Sequence, residues 1–313
     1  MKLSESRNIT YTRALIFGLP GSGKSTLAAA LSRTHKLIWF SLDNDADVLK
    51  KLPLEQQDNI EFIDLPDTAS FPVASQTLLQ IFKQGKGKIC YVHGLYNCAL
   101  CNKSGAGFTQ LDFTTLDSRS IVVIDTGSQL GRSILAHVTK DESVDNKPER
   151  DDWGALRKYT EFFASQFQGF RGNLIVICHA IEHITTNSKG EVIASKLIPD
   201  FGSKGMALTF GKSFSHVIYM EVKNKKHRAY SSSTFSNDCL TKSRTDFRIE
   251  DLPEPSLEPL FAQLSILTTS SNPTPSPETR AQSTVSVAAT PAQNAVTGLS
   301  ALQQKLREKG LTK

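Results

Sequence analysis

Residues 14–29 read ALIFGLPGSGKSTLAA: an apolar run, a glycine-rich turn and a helix-forming run, in that order. Inside it, Gly18-Leu19-Pro20-Gly21-Ser22-Gly23-Lys24-Ser25 fits G-x-x-x-x-G-K-[ST] at every position. The glycines let the backbone wrap closely and turn several N–H groups toward one phosphate. The start of the following helix adds its positive dipole end. The stretch therefore predicts a phosphate cradle for ATP or a related nucleoside triphosphate, running from Gly18 to Thr26. Lys24 is expected to reach the β- and γ-phosphates, and Ser25 to hold Mg²⁺ by its hydroxyl.

A partner carboxylate is expected at the end of a buried strand. SIVVIDTGS at 120–128 supplies Asp125 after four apolar residues, placed to orient Mg²⁺. Thr126 and Ser128 follow it, as further contacts or as caps of the next helix. Two more polar residues end apolar strands: Asp43 after LIWFSL and His179 after NLIVIC. Ligands of open α/β sheets bind at the carboxyl ends of the strands. Lys24, Asp43, Asp125 and His179 are therefore the candidate catalytic set.

Working outward, apolar runs alternate with amphipathic stretches. Strands are expected at 14–17, 37–41, 60–64, 88–92, 121–125, 174–179 and 216–222. Helices are expected at 24–34, 71–84, 126–138 and 152–167. This alternation gives an α/β fold with a mostly parallel central sheet flanked by helices. Residues 199–211 hold three glycines and read as a mobile loop. The core is expected to span 1–267, with a Cys/His insertion at 88–108. Residues 268–296 are rich in Ser, Thr, Pro, Ala and Gln and read as a disordered linker. Leu299, Leu302 and Leu306 place a short helical segment at 297–313.

The chain has 313 residues, 39% hydrophobic and 21% charged, with a net charge of +5. That charge permits nucleic-acid binding without requiring it. No apolar run approaches the roughly 18–20 residues that cross a bilayer, and the amino-terminal apolar run leads straight into the phosphate loop. A cytoplasmic protein without a membrane partner is expected.

Twelve residues, 90–101, read C-x2-H-x4-C-x2-C. Cys90, His93, Cys98 and Cys101 form two chelating pairs of the kind a tetrahedral Zn²⁺ takes. The alternatives are a buried strand cysteine beside a loop with spare thiols, or a redox pair. No helix start that would activate a thiol is evident in the sequence.

Several stretches together resemble phage-encoded RecA-core ATPases, a group labelled AAA-family ATPases that includes Sak-type single-strand annealing recombinases. They are ALIFGLPGSGKSTLA, DDWGALRKY, VICHAIEH, FSHVIYMEVKNKKH and LTKSRTDF, all within about 12–250. The resemblance implies a RecA-like fold and ATP-dependent work on single-stranded DNA in the cytoplasm of a host cell, in recombination or replication. It places Asp43 where the family has a catalytic glutamate, one methylene longer, and His179 at a γ-phosphate-sensing position. Residues 182–205, and the segment before Trp153 with Lys140, Lys147 and Arg150, would be DNA-contacting loops. Lys223 and Lys225 would act in trans on the nucleotide of a neighbouring subunit, which implies a homo-oligomer. The phage proteins carry a similar cysteine–histidine segment.

Lys223–Arg228 and Lys242–Arg244 make this part of the chain basic, with Tyr230, Phe235 and Phe247 available for stacking on bases. Arg244 or Arg248 is a candidate arginine finger. Two other readings stay open: a P-loop kinase acting on a small molecule or nucleotide, and a non-hydrolysing adaptor whose tail recruits replication proteins such as a single-strand binding protein.

Overall fold

The computed structural model describes residues 11–68, 71–139, 148–232 and 239–262. Lys140, Lys147, Phe235, the linker at 268–296 and the terminal segment at 297–313 lie outside them. The strands are β1 (Arg13–Gly18), β2 (Lys36–Ser41), β3 (Ile60–Asp64), β4 (Lys86–Cys90), β5 (Phe108–Asp112), β6 (Ser120–Asp125), β7 (Asn173–Thr186), β8 (Val192–Pro199), β9 (His216–Lys223), β10 (Lys226–Tyr230) and β11 (Lys242–Ser243). The helices are α1 (Lys24–Ala29), α2 (Asp47–Lys50), α3 (Leu54–Gln57), α4 (Val73–Gln84), α5 (Ala99–Ser104), α6 (Gly127–Thr139), α7 (Arg150–Gly169) and α8 (Lys204–Gly211).

The central sheet runs in the order β10-β9-β1-β7-β6-β2-β3. From β9 to β3 every pairing is parallel, and β10 and β11 add antiparallel edges to β9. Because β7 lies between β1 and β6, the phosphate loop and Asp125 end strands that are not neighbours. Alternate residues of each strand serve opposite faces. Leu15, Phe17, Phe40, Val122, Ile124 and Val176 join one core, with α4, α6, α7 and α8 residues. Ile16, Trp39, Ile121, Val123, Ile175 and Ile177 join the other, against α1 and a carboxyl-terminal stretch carrying Phe247, Ile249, Leu257, Leu260 and Phe261. Continuous apolar runs are what a sheet buried on both faces requires.

The helix expected at 152–167 is α7, and it turns an apolar stripe of Leu156, Tyr159, Phe163 and Phe167 inward, with Tyr159 half-buried. Leu156, Phe163 and Phe167 are fully buried, each stabilising the fold by about 1.5–3 kcal/mol. Its start carries a reciprocal capping box between Glu149 and Asp152.

Four expectations are corrected. Residues 199–211 are not a loop: Ser203 caps α8, accepting from Met206 N at 3.4 Å. Phe210 of α8 stacks on Phe201 with centroids 3.7 Å apart. Packing of this apolar face outweighs the low helix propensity of its glycines. The strand at 88–92 ends at Cys90 and pairs with β5 in a separate two-stranded sheet. Tyr91 and Val92 are exposed instead, because the chain turns there to gather the thiols. Residues 182–205 are a β-hairpin followed by a helix start: β7 runs on past the sheet and pairs with β8 from Ala180↔Pro199 outward. Finally, Phe247 belongs to the core, and Tyr230 is half-buried with its hydroxyl donating to Glu221 at 2.9 Å. Neither ring stands open for a base.

Candidate nucleotide-binding site

Parallel register brings the ends of the strands to one edge. Gly18 pairs with His179 on one side and Met220 on the other, and Asp125 pairs with Ser41 and Ile177. The phosphate loop closes over this edge. Gly18 sits so close to β9 that a Cβ there would meet Met220 O at 2.2 Å. Gly23 has φ +89, and a Cβ would lie 2.9 Å from the His227 ring. A side chain at either position would push the loop away from its neighbours.

Lys24 is buried, its Nζ donating to Gly18 O at 3.1 Å and Leu19 O at 2.9 Å. The ammonium therefore rests on loop carbonyls that a phosphate would replace as its partner. Burial lowers its pKa, opposed by the charges of Asp125, Cys178 and Asp43. Asp125 is buried, and desolvation pushes its carboxyl up to about 7 although the Ser25 hydroxyl donates to it. Asp43 is pushed up by the surrounding protein, with neighbouring Asp45 adding to this and His179 opposing it. The His179 imidazole is pulled down, first by burial and then by Lys24, with Asp43 opposing. These mutual influences show that Lys24, Asp43, Asp125 and His179 share one region. His179 Nδ1 is buried with no hydrogen-bond partner, as expected of a group that waits for a ligand.

Ser25 and Asp125 offer a hydroxyl and a carboxylate, hard oxygens of the kind Mg²⁺ takes beside nucleotide phosphates. The charge of such a cation would offset the burial that opposes ionisation of Asp125. Thr126 acts as a cap, its Oγ1 accepting from Gln129 N at 3.1 Å. Ser128 ties the strand ends together: it accepts from His179 N at 2.8 Å and donates to Asp200 O at 2.9 Å.

Other sequence candidates do not join these four. Lys223 and Lys225 are exposed and flank Asn224 in the β9–β10 turn, where Asn224 and Lys225 have φ of 53° and 61°. Lys242 spends its ammonium on Lys212 O and Phe214 O. Arg244 influences Arg13, at the start of β1, and so lies at the end of the sheet opposite the phosphate loop. Arg248 is exposed. The residue sequence reasoning missed is His227. Its Nδ1 donates to Ser22 O at 3.0 Å, so that nitrogen carries the hydrogen. A histidine inside a basic run gives no periodic or motif signal.

The cysteine–histidine cluster is a second, separate site. Cys90, Cys98 and Cys101 are buried, and His93 Nδ1 lies 3.8, 3.6 and 3.2 Å from their sulfurs. The four ligand atoms lie within 4.8 Å of one another. A tetrahedron with Zn–S of about 2.3 Å needs sulfurs roughly 3.8 Å apart, so the set fits a small metal ion. The expectation of no helix start near the thiols is corrected, because α5 begins directly after Cys98. The backbone N–H of Cys101 lowers the Cys98 thiol to about 7, while burial and the neighbouring thiols push the Cys101 thiol up, a crowding that a bound cation would relieve.

A glycine-rich loop between a parallel strand and a helix, with an acidic strand end beside it, marks a P-loop nucleotide-binding protein. The chain belongs to the AAA domain family, which it matches over residues 10–245. A comparison with curated proteins returned no match. Among the described residues, no helix is long and apolar enough to cross a membrane.

Proposed function

We propose that this protein is a RecA-like ATPase that couples ATP hydrolysis to binding of single-stranded DNA in recombination or replication. The observation that carries this reading is the run of β7: one continuous strand leads from the core through His179, beside the phosphate loop, into the projecting β7–β8 hairpin. A change at the γ-phosphate felt by His179 would reach that hairpin through a single rigid element. The hairpin exposes Ile184, Val192, Ile193 and Lys189, a mixture suited to bases and phosphates.

In this reading Lys24 and the loop N–H groups hold the β- and γ-phosphates, while Ser25 and Asp125 hold Mg²⁺, which supplies charge neutralisation at the phosphates. Asp43 accepts a proton from water as the water oxygen attacks the γ-phosphorus and the bond to ADP breaks. Its raised pKa suits a base better than an ordinary surface aspartate would. Lys223 is assigned to a neighbouring subunit's nucleotide within a homo-oligomer, and Zn²⁺ to the Cys90–Cys101 cluster as a structural ion. The tail after 268 is assigned to a partner such as a single-strand binding protein. The adaptor reading is the second one, favoured by the short reach of Asp43, an aspartate where the resemblance has a glutamate.

The test is ATP turnover with and without single-stranded DNA, in the natural chain and in a variant whose hairpin is cut back to a tight turn between the paired residues His183 and Lys196. Stimulation in the first and basal turnover alone in the second supports the proposal. No stimulation and no DNA binding at low salt removes the DNA role, and ATP binding without turnover favours the adaptor.

A further inference from the structure

From Thr68 to Leu111 the chain carries no aspartate or glutamate, although acids make up about one residue in ten of the whole sequence. Lys83, Lys86, Lys88 and Lys103 fall in the same stretch. Among the described residues, none of these ammonium groups is ion-paired with a carboxylate. Three thiolates around a Zn²⁺ would leave one net negative charge in the cluster, so the stretch stays basic with or without a metal. We propose that the cysteine–histidine module, β4 and β5 with the chain between them, is a contact surface for single-stranded DNA in addition to the hairpin. The inference rests on the reading that this protein binds such DNA.

The aromatic rings of the module differ in what they touch. Tyr96 is packed down: a Cβ on Gly87 would lie 2.1 Å from its ring, and its hydroxyl donates to Lys86 O at 3.0 Å. Phe108 has the Lys88 ammonium 4.4 Å from its ring centroid, which covers one face. Tyr91 rests on Gly107, where a Cβ would meet its ring at 2.7 Å, yet the residue is 69% exposed. Its ring is therefore held by backbone on one side and open on the other, as a stacking platform for a base must be. Val92 beside it and Leu100 on α5 are exposed too. An apolar patch alone would suit a protein partner, but flanks free of acids and rich in unpaired ammonium groups favour a polyanion.

The module is also seated at the edge of the sheet that the hairpin leaves from. Gly94 packs on the end of β3, where a Cβ would lie 2.8 Å from Asp64 O, and its carbonyl accepts from Thr77 Oγ1 at 2.8 Å. Asp64 is level with Ser41, and Ser41 with Asp125, so this is the carboxyl edge past which β7 runs on. Between β7 and β3 lie β6 and β2, a span of about 15 Å at the usual strand spacing. One DNA strand of several nucleotides can reach both surfaces.

A fluorescein-labelled oligo(dT) is titrated at low salt, with Mg²⁺ and a non-hydrolysable ATP analogue, against the full-length natural chain, Tyr91→Ala, Tyr91→Phe and the double variant Lys88→Gln with Lys103→Gln. Tyr91→Ala is expected to lose about fivefold or more in affinity. Tyr91→Phe keeps the ring and is expected to stay within about twofold of the natural chain. Two lost phosphate contacts should lower the slope of log affinity against log salt by about 1.4 in the double variant. In the natural chain, an oligonucleotide substituted with 5-bromodeoxyuridine is cross-linked by light, and the adducts are mapped by mass spectrometry. Adducts within 86–108, at Tyr91 above all, are expected. Adducts confined to 180–199 overturn the proposal while leaving the DNA reading and the hairpin standing. Unchanged affinity and salt slope in folded variants overturn it as well, and leave the exposed patch to a protein partner. No DNA binding by the natural chain removes the module's role together with the DNA reading itself.

Discussion

Asp125→Asn removes one ionisable carboxyl from a position only 6% exposed. Burial raises that group from 3.8 to about 7 in the folded chain. In the unfolded chain it ionises near its ordinary value, so folding must take up a proton between roughly pH 4 and pH 7. The natural protein without nucleotide therefore loses stability as pH rises through this window and levels off above the folded pKa. At about 1.4 kcal/mol per unit, the shift of about 3 units sets a ceiling of about 4 kcal/mol at pH 8, and about 1.5 kcal/mol is already lost at pH 5. Asparagine does not titrate, so the variant's advantage should grow by about 2–3 kcal/mol from pH 5 to pH 8. Urea unfolding of both chains at the two pH values, without nucleotide or metal, reads this directly. A difference in stability that does not change with pH would refute the reasoning, because it would mean the carboxyl is not held in an environment that opposes its charge. The same variant should gain less stability from Mg²⁺ and ATP than the natural chain does, because Lys24 and the loop still hold the phosphates.

Three other outcomes are expected. Gly23→Ala forces a Cβ at φ +89 and against His227; a loss of about 1–3 kcal/mol in thermal or urea unfolding is expected, together with loss of ATP binding by calorimetry. Purified protein should carry about one zinc per chain by elemental analysis, reduced strongly in Cys98→Ser; zinc far below that level removes the metal from the cluster. Phe163→Ala empties a fully buried position on α7 and should cost about 3–5 kcal/mol in unfolding experiments; a cost below about 1 kcal/mol would mean that α7 does not pack as described.

The phosphate loop, β1, α1 and the Asp125 strand were legible because each carries a dense local signal: a glycine motif or an unbroken apolar run. The stripe of α7 was legible for the same reason, with Leu156, Tyr159, Phe163 and Phe167 at helical spacing, although Tyr159 is only half-buried. What the sequence concealed depends on contacts between distant segments. The glycines of α8 read as a loop until Phe210 meets Phe201 and the α7 aromatics. The β7–β8 hairpin lacks a two-residue turn signal, and its tip, Asn187 to Gly190, reads as part of a long polar loop. The wall at Phe247–Phe261 holds its apolar residues at no clean period, because it follows the underside of the sheet rather than forming a long element. His227 is invisible for a simpler reason: its role comes from a hydrogen bond to Ser22, which lies far away in the sequence.

The central claim is that Gly18–Ser25 binds ATP for hydrolysis, with Lys24 as the group that meets the phosphates. Release of inorganic phosphate from ATP in the presence of Mg²⁺, measured side by side for the natural chain and Lys24→Ala, tests it most directly. Turnover in the natural chain that falls to background in the variant, with both proteins folded by circular dichroism, is the expected result. Equal turnover in the two, or none in either while ATP still binds both equally, would contradict the account.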